Sequence, residues 1–133
     1  MNGKPILLVE DHPDDEFLTL HTLKKNRIEN VVVTREAKEA LNYLVMAVNY
    51  GGHHESFMPG LILLDLRLPK MDGFEFLEAV RADERTRDIP VVILSSSQQQ
   101  KDVDRCRNLG VKAYINKPLD SNKLAKAMHA LNR

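Results

Sequence analysis

Leu61-Ile62-Leu63-Leu64-Asp65 is a short, wholly apolar run that ends on a carboxylate. Two more apolar runs have the same layout, and a lysine follows a fourth strand-like stretch. Ile6-Leu7-Leu8-Val9 runs into Glu10-Asp11, Val91-Val92-Ile93-Leu94 into Ser95, and Tyr114-Ile115-Asn116 into Lys117-Pro118. Strands buried on both faces read as continuous apolar segments, and ligands gather outside the carboxyl ends of a parallel sheet. Folding would therefore bring two acids, an aspartate, a hydroxyl and an amine into one crevice.

Between these runs lie helical patterns, and strict alternation of the two is the sequence form of an α/β fold. Pro13 followed by Asp14-Asp15-Glu16 suits a helix start, with acids where the helix dipole favours them. Phe17, Leu20 and Leu23 follow at helical spacing, and Val31-Val32-Val33 reads as a second strand. Ala37, Ala40, Leu41, Leu44, Val45 and Val48 form an apolar stripe. That helix is expected to reach about Asn49-Tyr50 and to stop at Gly51-Gly52, with a roomy His53 to Pro59 connection after it. Gly73 opens a third helix carrying Phe74, Phe76, Leu77 and Val80, and Pro90 leads into the next strand. A fourth helix is expected from about Gln98 to Leu109, closed by Gly110, with a fifth strand over Val111 to Ile115. The final helix begins near Ser121 and carries Leu124, Ala127, Met128 and Leu131. Five strands and five helices use residues 1–133 as a single domain, with no linker or repeat left over.

Composition narrows the function classes. Nineteen basic residues balance nineteen acidic ones, so no net field draws the chain to nucleic acid or an anionic membrane. No apolar run approaches the roughly 18 residues of a membrane span. The opening Met1-Asn2-Gly3-Lys4-Pro5 lacks a signal-peptide layout, which makes the cytoplasm the expected compartment. The single Cys106 has no partner and reads as a buried or half-buried thiol.

Carboxylates crowded at adjacent strand ends raise one another's pKa unless they share a cation. Magnesium suits such a place, because it takes oxygen ligands and keeps several waters beside one or two carboxylates. Glu10, Asp11 and Asp65 are the candidate metal ligands, and a backbone carbonyl just past Asp65, such as that of Arg67, could add another oxygen. Asp65 is also the candidate nucleophile, since a carboxylate attacking a phosphoryl group forms a mixed anhydride. Transfer needs positive charge and donors on the equatorial oxygens. The metal, the Lys117 ammonium and the Ser95 hydroxyl could supply them.

Taken together, Leu8-Val9-Glu10-Asp11, Leu63-Leu64-Asp65, Leu68-Pro69-Lys70-Met71-Asp72-Gly73, Leu94-Ser95-Ser96 and Tyr114-Ile115-Asn116-Lys117-Pro118 resemble the receiver domain of bacterial two-component response regulators. The resemblance covers essentially the whole chain. It implies a flavodoxin-like, doubly wound five-stranded parallel sheet in the order 2-1-3-4-5 with five helices. It implies that Asp65 accepts phosphate from a sensor histidine kinase, that Glu10 and Asp11 help bind Mg2+, and that Ser95 and Lys117 contact the phosphoryl group. A cis peptide bond at Lys117–Pro118 is part of the same expectation. So is a switch in which Ser95 swings toward the phosphoryl group and Tyr114 turns inward behind it, altering the face of the fourth helix, fifth strand and fifth helix.

The long second helix, the extended His53–Pro59 connection and Pro13-Asp14-Asp15 look like stand-alone regulators paired with bacterial phytochrome kinases. With no effector domain, output would pass through a surface, to an unknown downstream protein, to another histidine protein in a phosphorelay, or to a second copy in a homodimer. A chemotaxis-type receiver with another kinase is the alternative within the family. Outside it stand a flavin binder, a dehalogenase-like phosphatase and a phosphorylation-independent scaffold. The acidic stretch after the first strand would repel a flavin phosphate. The phosphatase expects a second acid two residues after the nucleophile, where this chain has Arg67.

Overall fold

In a computed structural model of the chain, residues 3–51, 57–68, 71–96 and 99–131 are described. The His53-His54 pair, Pro69-Lys70 and Gln98 lie outside them. Five strands, β1 (Ile6–Val9), β2 (Val31–Thr34), β3 (Leu61–Asp65), β4 (Val91–Ser95) and β5 (Ala113–Asn116), alternate with five helices. The helices are α1 (Pro13–Lys25), α2 (Ala37–Gly51), α3 (Gly73–Ala82), α4 (Gln100–Asn108) and α5 (Ser121–Leu131). All four strand pairings are parallel and the sheet order is β2-β1-β3-β4-β5, as expected.

The apolar runs of β1, β3 and β4 are fully buried because alternate side chains feed two separate cores. Leu7, Val9, Ile62, Leu64, Val91 and Ile93 meet Ala40, Leu44, Phe76 and Val80 of α2 and α3 on one face. Ile6, Leu8, Leu63 and Leu94 meet Leu23 of α1 and Leu124 and Ala127 of α5 on the other. Cys106 is buried in the first core, as expected, and is the only buried side chain of α4. Polar contacts add to the attachment of α4. Arg105 lies 4.2 Å from the Phe74 ring centroid and 3.3 Å from Glu78 Oε1. Arg81 of α3 donates to the carbonyls of Leu109 and Ile89, each at 2.8 Å.

Three sequence expectations shift. Phe17 is 70% exposed rather than part of the core stripe. The face that α1 buries is Thr19, Thr22 and Leu23, from which Phe17 is turned roughly 120–160° about the helix axis. In α2, Val45 is likewise exposed, and Ala37, Ala40, Leu44 and Ala47 carry the burial. The fifth strand begins at Ala113, not Val111, because the Val111 N–H is used on the Cys106 carbonyl at the end of α4. Gly110 closes that helix with a φ of +76°, the left-handed conformation glycine adopts without strain.

Candidate phosphoacceptor site

The register sets the site before any side chain is considered. Val9 pairs with Leu64, Asp65 with Leu94 and Ser95 with Asn116, so four strands end at nearly one level. Glu10 follows β1, Asp65 ends β3, Ser95 ends β4 and Lys117 follows β5. The crevice between β1 and β3 is where the strand order reverses, which is where doubly wound sheets bind ligands.

Lys117 is the centre. Its side chain is 11% exposed, and its Nζ lies 2.7 Å from Glu10 Oε1, 2.9 Å from Asp65 Oδ2 and 2.9 Å from Asp15 Oδ2. Burial pulls the ammonium toward losing its proton. Contacts with Glu10, Asp15 and Asp65 outweigh that pull and hold it protonated well above the usual lysine range. The backbone is fixed too. Lys117 N–H donates to the Ser95 carbonyl at 3.0 Å, and the Lys117–Pro118 bond is cis, as expected. Thr22 of α1 donates its hydroxyl to the Leu119 carbonyl at 3.0 Å, and Lys123 donates to the Asn116 and Pro118 carbonyls at 2.9 and 3.1 Å.

Glu10 is fully buried. Its Oε2 accepts the His12 N–H at 3.2 Å, while Oε1 meets Lys117 by charge without the geometry of a directed hydrogen bond. Burial first, and then the neighbouring Asp65 against the pull of Lys117, push this carboxyl up from an ordinary 4.5 to about 7. Asp65 Oδ1 accepts the Arg67 N–H at 3.0 Å, which orients the carboxylate from below.

Gly73 makes that loop possible. A Cβ there would stand 2.6 Å from the Leu66 Cα and 2.9 Å from the Asp65 carbonyl oxygen, so only glycine lets α3 start this close to Asp65. The Gly73 N–H donates to the Leu66 carbonyl at 2.9 Å, and Asp72 caps α3 by accepting the Glu75 N–H at 2.9 Å.

Of the residues expected here, Glu10, Asp65 and Lys117 meet directly. Ser95 is buried at the adjoining strand end, and Tyr114 is half-buried against the core that holds α2 and α3. Asp11 is exposed at the rim, and Arg67 contributes backbone near Asp65 while its side chain points to solvent. Among the described residues no group of three His, Cys, Asp or Glu side chains is arranged as a ready metal cage, and the three acids that do converge meet the Lys117 ammonium. The donor set still suits a hard divalent cation. It offers a buried carboxylate oxygen without a directed hydrogen bond, a second carboxylate beside it and a third acid at the rim. Sequence reasoning missed Asp15 as a site residue. It was one of three consecutive acids at a helix start, and no local signal marks which of the three turns inward.

A five-stranded 2-1-3-4-5 sheet that gathers two buried acids and a lysine at its carboxyl edge defines the receiver class of protein. The chain belongs to the response regulator receiver domain family, whose profile matches residues 6–129. It is 45% identical to the bacteriophytochrome response regulator AtBRR, with a TM-score of 0.82 over 97% of this chain and 92% of that one. Rcp1 of Synechocystis sp. is 35% identical over 129 residues, 96% of this chain and 86% of that protein. The Mn2+-bound form of Rcp1 superposes with a TM-score of 0.74 at 34% identity, covering 97% of this chain and 90% of that one. The phosphorylated cyanobacterial phytochrome response regulator RcpA is 35% identical, with a TM-score of 0.75 over 97% and 89% of the two chains.

Proposed function

We propose that this single receiver domain takes a phosphoryl group on Asp65 from the phosphohistidine of a sensor histidine kinase, of the phytochrome type, in the presence of Mg2+. The observation that carries the reading is the Lys117 ammonium held within 3 Å of both Asp65 and Glu10 at the ends of β3 and β1. In the transfer, an Asp65 carboxylate oxygen forms the new O–P bond as the P–N bond of the donor breaks and the imidazole leaves. Lys117 supplies fixed positive charge for an equatorial oxygen, and Ser95 a hydroxyl for another. Glu10, Asp11, Asp65 and the Arg67 carbonyl would hold the cation, which when bound supplies further positive charge to the phosphoryl oxygens. The chain is a phosphoacceptor rather than a turnover enzyme. Its own hydrolysis of the acyl phosphate ends the signal and restores the carboxylate.

Support for the kinase class comes from two of the relatives above, the bacteriophytochrome response regulator AtBRR and the phytochrome response regulator RcpA. No helix among the described residues is long and apolar enough to cross a membrane, and we place the chain in the cytoplasm with its kinase. Output passes by way of Ser95 and Tyr114 to the face of α4, β5 and α5, and from there to a downstream protein or a second copy. The test is incubation with Mg2+ and acetyl phosphate, or with a phytochrome-type kinase and ATP. The expected product is a hydroxylamine-sensitive acyl phosphate that Asp65→Asn abolishes. Label that persists in Asp65→Asn, or none in the wild type with either donor, refutes it.

A further inference from the structure

The geometry points to Asp15 as a positioning residue for this reaction, the anchor that holds Lys117 while the lysine's other two contacts change partners. The inference rests on the phosphoacceptor reading above. An ammonium has three N–H donors, and here three carboxylates surround it, Glu10, Asp65 and Asp15, all within 2.9 Å. Two of those carboxylates are altered by the proposed chemistry. Asp65 becomes an acyl phosphate, and Glu10 belongs to the expected cation set. Asp15 does neither. It sits on the first turn of α1 rather than at a strand end, and its side chain is 32% exposed at the rim.

The reach explains why an anchor is needed. Lys117 follows β5, while its targets follow β1 and end β3, so the flexible stem must span the end of β4. Such a chain has many rotamers, and a fixed acceptor at its far end selects the one that reaches. With Asp15 in place, the N–H released by Asp65 is already aimed where a phosphoryl oxygen arrives. Without it, the same N–H has to be found again in each encounter.

The test measures the initial rate of phosphorylation by acetyl phosphate at varied donor and saturating Mg2+, with Mg2+ affinity determined by calorimetry. In Asp15→Ala the saturating rate is expected to fall about fivefold or more, as for loss of one hydrogen bond to a charged group at a part-exposed position. Half-saturating donor concentration and Mg2+ affinity stay near wild type. Asp15→Asn, which keeps a carbonyl acceptor, recovers most of the rate. Asp14→Ala, which removes the neighbouring acid from the same helix turn, keeps the wild-type rate and so excludes a helix-dipole effect.

A wild-type rate in Asp15→Ala overturns the inference. So does a matching loss of Mg2+ affinity, which would make Asp15 a ligand, or an Asp15→Asn as impaired as the alanine variant. A wild type that gains no phosphoryl group at all refutes the phosphoacceptor reading, and this inference with it. A phosphorylated wild type beside an unimpaired Asp15→Ala refutes the role of Asp15 alone.

Discussion

Replacing Glu10 by glutamine should make the metal-free protein more stable at pH 8 and leave it unchanged near pH 4. Glu10 is fully buried, and its carboxyl is pushed from an ordinary 4.5 to about 7, by burial before any other cause. An acid whose pKa is raised by folding binds more protons folded than unfolded between those two values, so stability falls as the pH climbs through that window. At about 1.4 kcal/mol per tenfold change in proton affinity, the fall from pH 4.5 to 7 comes to roughly 3 kcal/mol. Lys117 contributes no slope there, because it keeps its proton in both states. Glutamine mimics the protonated acid and removes the loss. Mg2+ at about a hundred times its dissociation constant should restore some 2.7 kcal/mol to the wild type at pH 8. It should do far less for Glu10→Gln. The assay is urea unfolding followed by far-UV circular dichroism, since the chain has no tryptophan. Parallel stability curves for the two proteins from pH 4.5 to 8 without metal would refute the reasoning.

Gly73→Ala should cost about 1–3 kcal/mol in urea unfolding and slow acetyl-phosphate uptake, because its Cβ would press on the Leu66 Cα and Asp65 carbonyl, backbone on both sides. Arg27 holds a φ of +66° just after α1, a conformation that strains any residue with a Cβ, so Arg27→Gly should stabilise by about 0.5–1 kcal/mol. Cys106 is buried and its thiol is pushed up to about 11, by burial first. A thiol-disulfide reagent at pH 8 should therefore react slowly with the native chain and at once with the urea-unfolded one. Equal rates would mean that α4 lifts readily from the core.

The parts of this molecule legible from sequence were those where one physical effect dominates. Apolar runs such as Leu61–Leu64, too short for a helix and bounded by turn residues, read as strands buried on both faces, and each polar residue just beyond them lands at the same edge once the register is parallel. Glu10, Asp65, Ser95 and Lys117 were located on that ground. What escaped depended on rotation about an axis or on contacts distant in sequence. Phe17 fits an apolar period, yet the phase of α1 is set by Thr19, Thr22 and Leu23, two of them polar and one donating to the Leu119 carbonyl. Asp15 meets Lys117 across 102 positions of chain, which no local pattern encodes. The start of β5 moved because the closing turn of α4 competes for the Val111 N–H.

The two halves of the structure carry opposite energetics. Below the site, β1, β3 and β4 are buried along their whole length and hold the sheet together, and substitution there removes stability directly. At its edge, the same burial works against the molecule, since it keeps the Glu10 carboxylate out of water beside another acid. An amide would fit that place at lower cost, as would an apolar pair in place of the buried charges. Stability therefore does not account for an acid at position 10. A buried acid that works against folding, placed where the sheet order reverses, is the mark of a residue kept for what it binds. The lysine completes the logic, because it balances part of the buried charge and leaves the remainder for a cation. The unfavourable carboxylate and the phosphoacceptor are thus aspects of one arrangement, which the sheet beneath is stable enough to support.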